Sequence, residues 1–135
     1  MLGNEPLREA IETDAAPPPS TTRVGHKSQA IRSGNFVFVS GQVGVGPDGV
    51  MPESVSDQTR QIWKTIDEIL KSAGSDIQHV VQTTTYMLDM ADVWEIDDVK
   101  RDLFPSTPPA NAAAGVNQLA YGAKVEIAAI AVVIP

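Results

Sequence analysis

Cysteine is absent from the 135 residues, which excludes disulfides, thiolate nucleophiles and cysteine-ligated metals and fits a reducing compartment. Histidine is scarce: His26 and His79 are the only two, too few and too poorly clustered for a metal site. Positive charge is also short, with ten Lys and Arg against seventeen Asp and Glu, a net charge of −7. A phosphate-binding surface needs an excess of Lys and Arg, and the ten here form no run, so nucleic acid is not an expected partner. No stretch is long and apolar enough to span a bilayer, and no basic region followed by an apolar core marks a signal peptide. The expected location is the cytoplasm, with no membrane partner, no cofactor and no metal.

What is present is an ordinary globular composition, 42% hydrophobic and 20% charged. A chain of this length holds one domain with a modest core. Residues 1–22 read as a flexible extension. In it, Leu7 to Ile11 has the pattern of a helical turn, and Ala15-Ala-Pro-Pro-Pro-Ser-Thr-Thr22 that of a polyproline-like linker. The domain proper covers residues 23–135. Ser28 to Arg32 and Phe36 to Val43 are strand candidates joined by Ser33-Gly34-Asn35, a hairpin signal; Gly46-Pro-Asp-Gly49 is a second turn. Val55 to Ser72 carries Val55, Ile62, Ile66, Ile69 and Leu70 at helical spacing, with Ser54 as N-cap and Gly74 as stop. His79 to Leu88 reads as a strand of Val, Thr and Tyr. Asp92 to Phe104 reads as an acidic amphipathic helix ended by Pro105, Pro108 and Pro109, and Ala112 to Leu119 and Val125 to Ile134 as two closing strands.

The order β-β-α-β-α-β-β predicts an α+β domain with a mixed sheet and two helices on one face. The last strand sharpens this. Val125, Ile127, Ala129, Ala131 and Val133 lie on one of its faces; Glu126, Ala128, Ile130, Val132 and Ile134 lie on the other. Phe36 and Phe38 likewise oppose Val37 and Val39 on the second strand. A strand apolar on both sides must be covered on both sides, and two helices cover only one. The second face therefore predicts a homo-oligomer. A carboxylate on a covered face is costly without hydrogen-bond partners or a task, which makes Glu126 the first candidate functional residue.

Several blocks then stand out together: Gly34-Asn-Phe-Val-Phe-Val-Ser-Gly-Gln42, Gln61 to Gly74, Val81-Gln-Thr-Thr-Thr-Tyr-Met-Leu-Asp89, and Pro109 to Ala131 with its Pro-Ala-Asn and Val-Glu-Ile-Ala-Ala-Ile-Ala segments. In this order they resemble the reactive intermediate/imine deaminase family, the Rid or YjgF family, over residues 23 to 134. The resemblance implies a chorismate-mutase-like fold assembled as a homotrimer, with small-molecule ligand clefts between subunits. Active members hydrolyse amino-acid-derived imines or enamines to a keto acid and ammonia. A glutamate positions or activates the water, and an arginine pairs with the substrate carboxylate. The glutamate position matches Glu126, and the Ser-Gly pair of the cleft matches Ser40 and Gly41. The arginine position holds Asn111, a tyrosine position near the start of the domain holds Lys27, and the asparagine and tyrosine of the second helix fall at Asp97 and Lys100.

The change at Asn111 has a physical consequence. A guanidinium offers a permanent charge and two parallel donors to a carboxylate; an amide offers donors and an acceptor without charge. Losing such a charge-assisted pair costs about 1.5–3 kcal/mol. Either Lys27 supplies the cation as a point charge, or the ligand has no carboxylate there and Asn111 reads an amide, carbonyl or hydroxyl. Catalysis is thereby assigned to Glu126, and ligand contact to Asn111, Ser40, Gly41 and Lys27. The expected reaction is hydrolysis of an imine, an enamine or an aminated degradation intermediate such as an aminomuconate-like compound. The alternative is a trimeric metabolite-binding or stress-protective module without turnover; a third use is partner binding through the proline-rich extension. Plain structural roles compete for the same residues: Ser40 has no assignable base and suits a strand end, Asn111 suits a loop, and Trp63 and Trp94 suit packing or the rim.

Overall fold

The computed structural model describes residues 7–18 and 26–135. Six strands, β1 (Glu9–Ile11), β2 (Ala30–Ser33), β3 (Phe36–Gln42), β4 (Val80–Met87), β5 (Ala110–Gly115) and β6 (Val125–Val132), form one sheet in the order β1-β2-β3-β6-β4-β5. Each neighbouring pair is antiparallel except β4 and β5, which are parallel and joined through a helix. Two helices, α1 (Val55–Ser72) and α2 (Val93–Leu103), complete the α+β fold. No helix among the described residues is long and apolar enough to cross a membrane.

Local chemistry explains the boundaries. The β2–β3 hairpin turns through Gly34 and Asn35, with Gly34 at φ 59°, a backbone state that glycine supplies at the first position of a tight hairpin turn. Ser54 caps α1, its hydroxyl accepting from the Asp57 N–H at 3.1 Å. At the other end Gly74 sits at φ 81°. The Ser75 N–H reaches the Leu70 carbonyl and the Gly74 N–H that of Lys71, the paired bonds of a Schellman ending.

The core lies between the helices and one face of the sheet. Ile62, Ile66, Ile69 and Leu70 of α1 meet Val37 and Val39 of β3 and Val125, Ile127, Ala129 and Ala131 of β6, all buried. Trp63 is buried here too, edge-on to Phe104 with ring centroids 5.2 Å apart, whereas Trp94 stands 71% exposed. The other face is open in the single chain. Phe36 and Phe38 are each 45% exposed there, and Glu126, Ala128, Ile130 and Val132 are half-buried beside them. The alternation expected of the last strand is thus observed, and its second face has no cover from the described residues.

One expectation changes. The part of the extension that is described does not behave as a linker, and Leu7 to Ile11 is not a helical turn. Residues Glu9–Ile11 form β1 against β2, and the Ser33 hydroxyl donates to the Leu7 carbonyl at 2.8 Å. Buried Gln29 then holds the following segment: its amide donates to the carbonyls of Thr13 and Pro17, at 3.1 and 2.7 Å, and accepts from the Thr13 N–H at 2.7 Å. Sequence period gave no sign of this, because the segment is tied by one side chain rather than by an apolar face of its own. The remainder of the proline-rich stretch, residues 19–22, lies outside the described residues.

A second glycine position shows how tightly α1 is seated. A methyl group at Gly44 would lie 2.8 Å from the Cα and 2.9 Å from the carbonyl oxygen of Gln58. Gln58 is buried and anchored, donating to the Pro52 carbonyl at 2.9 Å and accepting from the Lys124 N–H at 2.9 Å. Helix backbone cannot swing aside as a side chain can. Gly44→Ala is expected to destabilise the fold by about 1–3 kcal/mol, seen as a lower urea midpoint with an unchanged slope; a wild-type midpoint would contradict the close seating.

Candidate functional site

Glu126 is the second residue of β6 and points to the open face, opposite Tyr86 of β4 in the ladder. Its neighbour on the other side is a break in regularity. The β3–β6 register shifts between Val39 and Gln42, so Ser40 and Gly41 leave the ladder, as residues at a bulge do. Ser40 is held by backbone: its N–H donates to the Gln29 carbonyl at 3.0 Å and its hydroxyl to the Ser28 carbonyl at 2.7 Å. The hydroxyl proton is therefore committed, which favours the strand-end role over direct ligand donation. Gly41 provides room. A methyl group there would lie 2.7 Å from Glu126 Oε2 and 3.0 Å from its Cδ, so the carboxylate rests against bare backbone. No hydrogen-bond donor among the described residues occupies it, which leaves it free to accept from water or ligand.

Beyond Gly41 opens a cavity of about 480 Å³, lined among others by Lys27, Gly41, Gln42, Met51 and Tyr121, and by Pro17 and Pro18 from the N-terminal segment. Lys27 therefore belongs to the Gly41 end. Tyr121 was not among the sequence candidates. It is 81% exposed and holds φ 60°, an uncommon state for an aromatic residue that costs about 1–3 kcal/mol. The following glycine was the only sequence hint of such a turn.

Asn111 lies elsewhere. It is on β5, in register with Thr83 of β4, and so faces the helix side of the sheet, opposite to Glu126. Its Oδ1 accepts from the Thr83 hydroxyl at 2.8 Å and the Thr85 hydroxyl at 3.0 Å. The two hydroxyls hold the amide against β4. Asp97 and Lys100 of α2 line the same space, together with Arg101, Phe104, Pro108 and Pro109, around a cleft of about 300 Å³. A separate, small cavity shares the Asp97, Lys100 and Asn111 walls and reaches Trp63, whose buried indole N–H has no partner among the described residues. Burial pushes the Lys100 ammonium below the usual lysine pKa, and the nearby Asp97 carboxylate pulls it partly back.

A single chain therefore carries two separated halves. One holds Glu126, Gly41, Ser40 and Lys27; the other holds Asn111, Asp97 and Lys100. β5, which bears Asn111, is an edge strand of Ala, Asn and Gly with every residue exposed. His79 is engaged locally, its Nδ1 2.7 Å from Asp76 Oδ1, and His26 is exposed. Among the described residues no three His, Asp or Glu side chains gather as a metal site would require.

Comparison with known proteins identifies the family. A family model described as Endoribonuclease L-PSP matches residues 5–133, a span that takes in β1. The chain is 38% identical over 128 residues to the 2-iminobutanoate/2-iminopropanoate deaminase of Mus musculus, covering 93% of this chain and 92% of that one. It is 39% identical over 126 residues to the chloroplastic Reactive Intermediate Deaminase A of Arabidopsis thaliana, covering 92% of this chain but 65% of that longer protein. Among solved structures, E. coli TdcF with bound serine superposes with a TM-score of 0.84 at 32% identity, covering 92% of this chain and 98% of that one. The chain belongs to the Endoribonuclease L-PSP family, the Rid/YjgF family whose sequence blocks it shares.

Proposed function

We propose that the protein is a homotrimeric hydrolase of small imines or enamines, with its active sites between subunits and Glu126 directing the attacking water. The observation that carries this is the seat of Glu126: a carboxylate with no hydrogen-bond donor among the described residues, resting on Gly41, which itself lines a cavity of about 480 Å³. In the proposed reaction water adds to the imine carbon while Glu126 accepts a hydrogen bond from it and aims its lone pair. Proton transfer to nitrogen then expels ammonia, leaving a keto acid; no oxidant or reductant is consumed. The names of relatives as imine deaminases support this class. The nuclease activity in the family's description fits less well with a net charge of −7.

The two halves support this assembly. An open face with two half-exposed phenylalanines and an edge strand of small, exposed residues are surfaces that a neighbouring copy covers at low steric cost. Rotation about a threefold axis sets the Glu126 half of one subunit against the Asn111 half of the next. Mixing two impaired variants tests both the assembly and the shared site. In an equal mixture of Glu126→Gln and Asn111→Leu reassembled at random, about one quarter of all sites combine two intact halves, so ammonia release rises well above that of either variant alone. Activity no higher than the sum of the separate variants would refute a site shared between subunits.

A second reading is supported by Asn111 itself. Its amide has no charge, and the Ser40 hydroxyl is already bonded to backbone, so a binding module without turnover is the competing class. Saturable binding of keto acids with no ammonia release from any imine would favour it.

A further inference from the structure

We infer that Tyr121 sets the substrate specificity of this protein, as one wall of a subsite at the Gly41 end that takes an apolar, ring-sized substituent. This deepens the proposed function and rests on the imine reacting where Glu126 meets Gly41.

Tyr121 stands where its backbone disfavours it. It holds φ 60° and ψ 20°, Gly122 follows at φ 69°, and the Ala123 N–H donates to the Ala120 carbonyl at 3.1 Å. These are the features of a type I′ turn, whose first central position favours Asn, Asp or Gly. Gly122 suits the second position; an aromatic side chain at the first is held against its own preference. Burial in the chain's own core gives nothing in return, because Tyr121 is 81% exposed. Its surroundings supply a reason. Tyr121 lines the cavity of about 480 Å³ of which Gly41 is also a wall.

That cavity is mostly apolar. Pro17, Val43, Val45, Pro47 and Met51 line it together with Tyr121. Its amide side chains are turned to their own chain: Gln29 bonds Thr13 and Pro17, and the Gln42 amide donates to the Ser40 carbonyl at 3.0 Å. Lys27 is the one charged residue among those described around it, and it is exposed. An apolar cavity of about 150 Å³ already holds a benzene molecule, so the methyl group of 2-iminopropanoate would leave most of this one to water. A ring fills more of it, gains by leaving water and meets the aromatic face of Tyr121, while the flexible Met51 adjusts to its outline. The substrate class is thus a 2-imino acid with a benzyl-sized apolar side chain.

The test is a set of dissociation constants for the full chain, from ligand-observed NMR titration. The probes are pyruvate, 4-methyl-2-oxopentanoate and phenylpyruvate, keto acids bearing a methyl, an isobutyl and a benzyl substituent. Wild type is expected to bind phenylpyruvate about 10- to 100-fold more tightly than pyruvate, with the isobutyl compound between. Tyr121→Asn is expected to weaken phenylpyruvate about 3- to 10-fold and to leave pyruvate within about twofold. Because Asn suits the turn, the same variant is expected to raise the urea midpoint without changing its slope. Tyr121→Phe keeps both the preference and the midpoint of wild type. Equal binding of pyruvate and phenylpyruvate by wild type, or an unchanged preference in Tyr121→Asn, overturns the inference. So does a lower midpoint or altered sedimentation in Tyr121→Asn, which would show that the ring serves packing or assembly. Because binding is read without turnover, the two readings separate. A phenylpyruvate preference that depends on Tyr121, without ammonia release from the phenylalanine-derived imine, refutes the hydrolase and keeps the subsite. Imine turnover indifferent to side-chain size and to Tyr121 does the reverse.

Discussion

Glu126→Gln lowers ammonia release by about 10²–10⁴-fold, the range typical for loss of a positioned general base. The substitution keeps size and shape, and the side chain is half-buried on an open sheet face, so fold and assembly stay as in wild type. What changes is chemical. A carboxylate is an acceptor at both oxygens, whereas an amide presents a donor at one of them and carries no charge, so the water is no longer drawn or aimed. The test compound is 2-iminopropanoate, which the name of the Mus musculus relative contains, made in situ from alanine by an amino-acid oxidase, with spontaneous hydrolysis subtracted. Circular dichroism and sedimentation are the checks that the variant is intact. Equal rates for the variant and wild type would remove Glu126 from the chemistry and, with it, the main support for the hydrolase reading.

Gly41→Ala gives the second large effect, about 10²-fold in rate, through geometry alone. The added methyl group would lie 2.7 Å from Glu126 Oε2. That atom is the end of a flexible side chain, so the carboxylate moves away cheaply and stability changes by less than about 1 kcal/mol. The contrast with Gly44 is diagnostic, because the methyl group there meets the backbone of a seated helix. One glycine therefore governs where a carboxylate points, and the other governs how the chain packs. Since Gly41→Ala acts through Glu126, the double variant Gly41→Ala/Glu126→Gln is expected to be no slower than Glu126→Gln alone. Additive losses, or full activity in Gly41→Ala, would show that the position of the carboxylate against Gly41 is not the one that matters.

Much of the fold was legible because burial leaves a period. The α1 boundaries coincide with the span from the Ser54 cap to the Gly74 stop, and the β6 faces alternate as the residues alternate. Strand ends drifted by a few residues: β5 covers Ala110–Gly115 rather than Ala112 to Leu119, since a run of alanines carries no contrast from which to read a boundary. β1 was missed for a different reason. Three residues whose place depends on pairing with β2, and a following segment tied by Gln29, have no local pattern that distinguishes them from a linker.

By itself the sequence determined the α+β layering, the two-sided last strand, the isolated carboxylate Glu126 and the neutral residue Asn111 at a position where the family resemblance implies a cation. These depend on which residues are present and on their spacing, and both are written along the chain. The tertiary structure alone decided which groups are neighbours. It put Glu126 against Gly41 and separated both from Asn111 on the opposite face of the sheet. It set Asn111 against the Thr83 and Thr85 hydroxyls, and it brought Lys100, not Lys27, to its side. The reason is physical: strand register and helix packing join residues far apart in the chain, and no local period records which of them meet.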